Sequence, residues 1–157
     1  MSTLDPRGCC FDDLALGQTL TSQARTVTEA DIVAFAALSG DWNAIHTDAE
    51  YAAGTPYGQR IAHGLLGLAI ASGLAVRAGF IQNNVRAFTG LTCKFRAPVL
   101  IGDTIALQAE VTRLRAMPSM GGGMVTFRVR VTNQRDEVVQ EGEWSLLMEG
   151  RSAAVEP

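Results

Sequence analysis

Cysteine is scarce in this 157-residue chain: there are three, the adjacent Cys9 and Cys10 and the distant Cys93. An odd count without a CxxC pair supplies neither a disulfide framework nor a zinc-like spacing, so free thiols in a reducing cytoplasm are expected. Histidine is scarcer, with His46 and His63 alone, and no metal is expected. Charge is also thin. Charged residues make up 18%, with 13 Lys+Arg against 16 Asp+Glu and a formal net charge of −3, and no block of like charge occurs. Nucleic acid is therefore not an expected partner. The first ten residues, MSTLDPRGCC, put Asp5, Pro6 and Arg7 where a signal peptide needs an apolar run, so secretion is not indicated. Strings of the G-x-S-x-G, P-loop and H-E-x-x-H kinds are missing, and no G-x-G-x-x-G follows a strand-like run, which disfavours nucleotide and dinucleotide folds.

Apolar residues are what the chain has in plenty, at 47%. A chain of this size buries about two thirds of its unfolded surface, and its length fits the roughly 100–200 residues of one domain. We expect a flexible tail over residues 1–10, a single domain over 11–150 and a second tail over 151–157. The most apolar stretch, 61–81, is interrupted by His63 and Arg77, which argues against a membrane span of about 20 residues. Its centre, GLLGLAIASGLAV over 64–76, predicts a helix that is hydrophobic all round and wrapped by the rest of the domain. Glycines at 64, 67 and 73 narrow it and would let a sheet approach closely.

Upstream, Thr28-Glu-Ala-Asp31 followed by Ile32, Val33, Phe35 and Leu38 predicts a capped amphipathic helix that stops at Gly40. Between Asp41 and Arg60, residues that favour turns predict mostly loop, with one or two helical turns over 48–53. Downstream, alternation or β-branched enrichment over 85–96, 104–113, 124–132 and 138–148 predicts four strands, and 17–27 adds a possible fifth. Helices gathered early and strands late give an α+β fold, an antiparallel sheet curled around one buried helix. Trp42, Tyr51, Tyr57 and Phe80 are read as core residues rather than pocket walls.

Chemistry concentrates in one short region. Gly40-Asp41-Trp42-Asn43-Ala44-Ile45-His46 sets a carboxylate and an imidazole five residues apart, and His63-Gly64 opens the central helix seventeen residues later. A carboxylate and an imidazole, whose ordinary pKa is about 6.5, can exchange protons near neutral pH. The free N–H groups at a helix start stabilise a growing oxyanion, and glycine there admits a substrate close to the backbone. Five residues of separation bring the pair together only if the chain bends between them. Asn43 is read as loop support, and His63 as capping or orienting the start of the helix. For Ser72, a hydroxyl bonded back to the preceding turn and one facing the site stand as equal readings.

GDWNAIH, AHGLLGLAIASGL over 62–74 and FRAPVLIGDT over 95–104 together resemble the MaoC-like, (R)-specific enoyl-CoA hydratase family of hot-dog folds. The resemblance covers about 11–148, with Ala44 standing where the family often has proline. It implies a hot-dog domain, paired as a homodimer, that hydrates trans-2-enoyl-CoA to (R)-3-hydroxyacyl-CoA or dehydrates the product. It also implies Asp41 and His46 as the acid-base pair, the Gly64 N–H as oxyanion donor and Ser72 as a helix serine of the site. Coenzyme A enters as part of the substrate, and no metal or other cofactor is implied. The alternatives are an acyl-CoA thioesterase of the same fold, which asks for an acid on the central helix where 64–76 has none, and a non-catalytic acyl-CoA binder.

Overall fold

The computed structural model describes residues 8–151. Two short strands, β1 (Thr19–Thr21) and β2 (Arg25–Thr26), precede helices α1 (Glu29–Ser39), α2 (Ala44–Thr47), α3 (Ala49–Ala53) and α4 (Gly64–Arg77). Four long strands follow, β3 (Val85–Phe95), β4 (Thr104–Met117), β5 (Gly122–Thr132) and β6 (Val138–Glu149). They form an antiparallel sheet in the order β1-β4-β5-β6-β3, with β2 also on β4. This is the α+β hot-dog arrangement expected from the sequence. The fifth strand expected over 17–27 is split in two, and Ser22 between its halves bonds the backbone of Leu107 through both its N–H and its hydroxyl.

Alternation places the core. Ile105, Leu107, Ala109 and Val111 of β4, with Val125, Phe127, Val129 and Val131 of β5, point inward and are buried. They meet Trp144, Leu146 and Met148 of β6 and the face of α4 that carries Leu66, Ile70 and Leu74. One correction concerns α4. Leu65, Ala69, Ser72, Gly73 and Val76 form an exposed stripe at helical spacing, so within one chain the helix is sheathed on one side only. Strand β3 is likewise an edge strand with no buried residue, and Phe88, Leu91 and Phe95 are exposed.

Local rules explain the segment that delivers the site. Thr28 accepts from the Asp31 N–H while the Asp31 carboxylate accepts from the Thr28 N–H, the reciprocal capping box that starts α1. Gly40, at φ +77°, ends it in the left-handed conformation that glycine adopts without a Cβ clash. Of the expected N-terminal tail, 1–7 lie outside the described residues, while Cys9 donates its N–H to the Gly79 carbonyl and Cys10 is buried. Residues 152–157 of the expected C-terminal tail also lie outside. Arg151 pairs with Asp13.

Candidate active site

The turn at Gly40 throws the chain across the start of α4. Asp41 accepts the Asn43 N–H at 3.2 Å through Oδ1, and Asn43 in turn accepts the Ile45 N–H and caps α2. That single helical turn carries His46 back over the loop. Its Nδ1 lies 2.8 Å from the Ile61 carbonyl, which can only accept, so the ring donates from Nδ1, and in the neutral ring the lone pair is then on Nε2. The Ile61 segment is itself fixed, since Ile61 bridges Leu100 and Ala62 donates to the Val99 carbonyl.

His63 joins the two sides of the bend. Its ring is 3% exposed, stacks on His46 with centroids 3.8 Å apart and leans on Phe35 at 5.0 Å. Nε2 donates to the Asp41 backbone carbonyl at 2.9 Å. It occupies the N-cap position of α4 but makes no side-chain cap bond, so it orients the start of the helix through ring packing and its bond to Asp41. Asp41, His46 and His63 bring ligand-type atoms within 4.8 Å of one another. The two imidazole planes are tilted by 29° at a centroid distance of 3.8 Å, a stack whose planes do not converge at bonding distance from both rings. A metal shared by the two histidines does not fit this arrangement.

Gly64 begins α4 beside the pair, and helix starts leave their first N–H groups without intrahelical acceptors. A Cβ at this position would run into the ring of Phe95, so glycine lets that ring lie against the helix start, and both residues line a cavity of about 350 Å³ together with His46, Tyr57, Leu65, Arg96 and Gln140. Ser72 is not brought to this cluster: its hydroxyl donates to the Ala69 carbonyl at 2.8 Å on the exposed stripe of α4. Two residues escaped the sequence reading. Tyr57, expected in the core, lines the cavity and is 46% exposed, and Trp42 and Tyr51 are exposed as well; of the four aromatics only Phe80 is buried. Gln140 was hidden in a strand, although a glutamine at an inward position among valines and leucines is itself a signal.

A carboxylate beside an imidazole that shares one cavity with a helix start can move a proton and hold a developing negative charge. On a hot-dog fold that set is suited to acid-base chemistry. Residues 13–134 match the family described as MaoC like domain. The chain is 38% identical over 141 residues to an (R)-specific enoyl-CoA hydratase of Rhodospirillum rubrum, covering 90% of this chain and 92% of that one. It is 36% identical over 133 residues to a 3-hydroxybutyryl-CoA dehydratase of Methylorubrum extorquens, covering 85% and 80%. A solved R-hydratase from Pseudomonas aeruginosa in the unliganded form superposes with a TM-score of 0.77 at 30% identity, over 96% of this chain and 95% of that one. The chain belongs to the MaoC-like dehydratase family, whose members named here are hydro-lyases.

Proposed function

We propose that the protein hydrates trans-2-enoyl-CoA to (R)-3-hydroxyacyl-CoA and catalyses the reverse dehydration. The observation that carries this reading is the meeting of Asp41 and His46, whose side-chain polar atoms lie within 4.8 Å of each other, with His46 and Gly64 lining one cavity. Water held between the two side chains loses a proton to the pair as its oxygen bonds to C3. The electron pair of the C2–C3 double bond moves to the thioester oxygen, where the Gly64 N–H and the positive end of α4 stabilise it. The pair then returns the proton to C2, so one water is added and nothing else is consumed. No metal or redox group has a part in these steps, and coenzyme A is present only as the substrate's handle.

The thioesterase alternative has no support on α4, whose first turn carries no acid. The exposed stripe that holds Leu65 and Ser72 continues from the cavity along the helix. We assign it to the acyl chain and to a second copy of the chain that closes over it, which is the place left for Ser72 in the site. The free thiols of Cys9 and Cys93 suit a reducing, cytoplasmic setting, and no helix among the described residues is long and apolar enough to cross a membrane.

The test is to follow the conjugated enoyl-thioester absorbance with crotonyl-CoA beside a thiol reagent. Loss of conjugation with an (R)-3-hydroxy product and no free thiol is expected. Thiol release, or binding without turnover, would instead indicate the thioesterase or the binder.

A further inference from the structure

Gln140 lies on the inner face of β6 and is 3% exposed, in a strand whose other inward side chains include Trp144, Leu146 and Met148. A primary amide in such surroundings is costly unless both its polar atoms are satisfied. Only one is. Nε2 donates to the Gly64 carbonyl at 2.8 Å, and Oε1 has no partner among the described residues. The Gly64 carbonyl, at the start of a regular α-helix, is already an acceptor for the amide four residues on, so the helix does not need this bond.

The chain also gives up helix propensity to make room for it. A Cβ at Gly67, one turn along α4, would run into the Gln140 Nε2, and glycine is disfavoured inside helices. An unfavourable glycine and a half-satisfied buried amide thus serve a single contact, on Gly64, which lines the same cavity as Gln140. That combination does little for folding.

We infer that Gln140 is a positioning residue for the hydration reaction: by gripping the Gly64 carbonyl it fixes the first residue of α4 and aims the Gly64 N–H at the thioester oxygen, with Gly67 providing the space. The inference rests on the proposed function, because it gives Gln140 a role only if the Gly64 N–H is the oxyanion donor. It differs from a structural role in what it moves. An oxyanion donor acts mainly in the transition state, so its misalignment lowers kcat and leaves KM nearly untouched.

The experiment is a double-mutant cycle on the full-length protein with crotonyl-CoA, reading kcat, KM and Tm. Gln140→Met keeps an unbranched side chain of similar volume and removes the donor, and is expected to lower kcat up to about 100-fold, the scale of a small misplacement at a reacting centre. KM and Tm stay close to the parent. Gly67→Ala displaces the flexible end of Gln140, and the same loss of kcat is expected with an unchanged or raised Tm. The double variant falls no further than Gln140→Met alone, because both changes break one contact. Parental kcat in Gln140→Met or Gly67→Ala, additive losses, or a fall in kcat matched by a fall in Tm would overturn the inference while leaving the hydratase reading in place. A parent protein that does not hydrate crotonyl-CoA would overturn both.

Discussion

His63 holds the bend that brings Asp41 and His46 together. It packs one face of its ring on His46 and donates to the backbone of Asp41, so one buried side chain sets the relative position of the two others. His63→Phe keeps the aromatic volume and the stack but loses the bond to the Asp41 carbonyl. We expect about a tenfold or greater fall in kcat for enoyl-CoA hydration, the scale of displacing a reacting group by less than 1 Å, with Tm lowered by a few degrees at most. Full kcat in this variant, measured beside its thermal melt, would remove His63 from the account. Asp41 and His46 were legible in the sequence as a suggestive pair, yet nothing in their spacing brings them together. The bend comes from Gly40 at positive φ, the Asx turn at Asp41 and one turn of helix after Asn43, and these local devices sum to a geometry only in three dimensions.

Among the elements, the turn between Leu100 and Asp103 fixes the start of β4 and the segment that holds Ile61 and Ala62. Asp103 accepts from the Leu100 N–H, the Gln134 amide and Arg135. Burial pushes its carboxyl up, but these donors and the Arg135 charge outweigh burial and hold it below the ordinary carboxylate range. A depressed folded value stabilises the protein fully above the unfolded value of about 3.9, and that contribution is lost as pH falls through the lower folded value. Asp103→Asn is therefore expected to lower Tm at pH 7 by about 4–8 °C, for about 2 kcal/mol of charged hydrogen bonding. Its Tm should also decline less steeply than the parent's below about pH 4. Melts of both proteins from pH 7 to 3 check this, and parallel curves would contradict it.

Elements with a strong internal rule were readable before the fold was known. The capping box of α1 and the alternation of β4 gave the right kind of element at nearly the right residues. The environment of α4 was not readable, because Leu65, Ala69 and Val76 on its exposed stripe are as apolar as Leu66 and Ile70 on its buried face. Composition does not distinguish a face covered by the same chain from one that a second copy would cover. The hydrogen bond of Gln140 across 76 residues of sequence was equally invisible.

At the scale of the whole molecule, one side of the sheet is unfinished. Among the described residues strand β3 pairs with β6 alone, which leaves its outer edge open there, and Phe88, Leu91 and Phe95 lie exposed along it, as do Leu65 and Val76 on α4. An 11-residue edge strand with exposed apolar side chains is a template for pairing with another chain, and we propose a homodimer joined there, which would extend the sheet and cover the helix stripe. Light scattering on the purified protein is expected to give a dimer, and Leu91→Lys, a charge on the edge, to shift it to monomer. A parent that remains monomeric at micromolar concentration would contradict this arrangement.

Asp41 and His46 are proposed to act as one proton-transfer pair on an enoyl thioester. The direct measurement is kcat for crotonyl-CoA hydration by Asp41→Asn and by His46→Ala, each with its thermal melt, and with the double variant alongside. The account predicts folded proteins with Tm near the parent, kcat lowered about 10²- to 10⁴-fold in each single variant as expected for loss of general acid-base catalysis, and a double variant little worse than the singles. Folded single variants that hydrate crotonyl-CoA at the parental rate would contradict it.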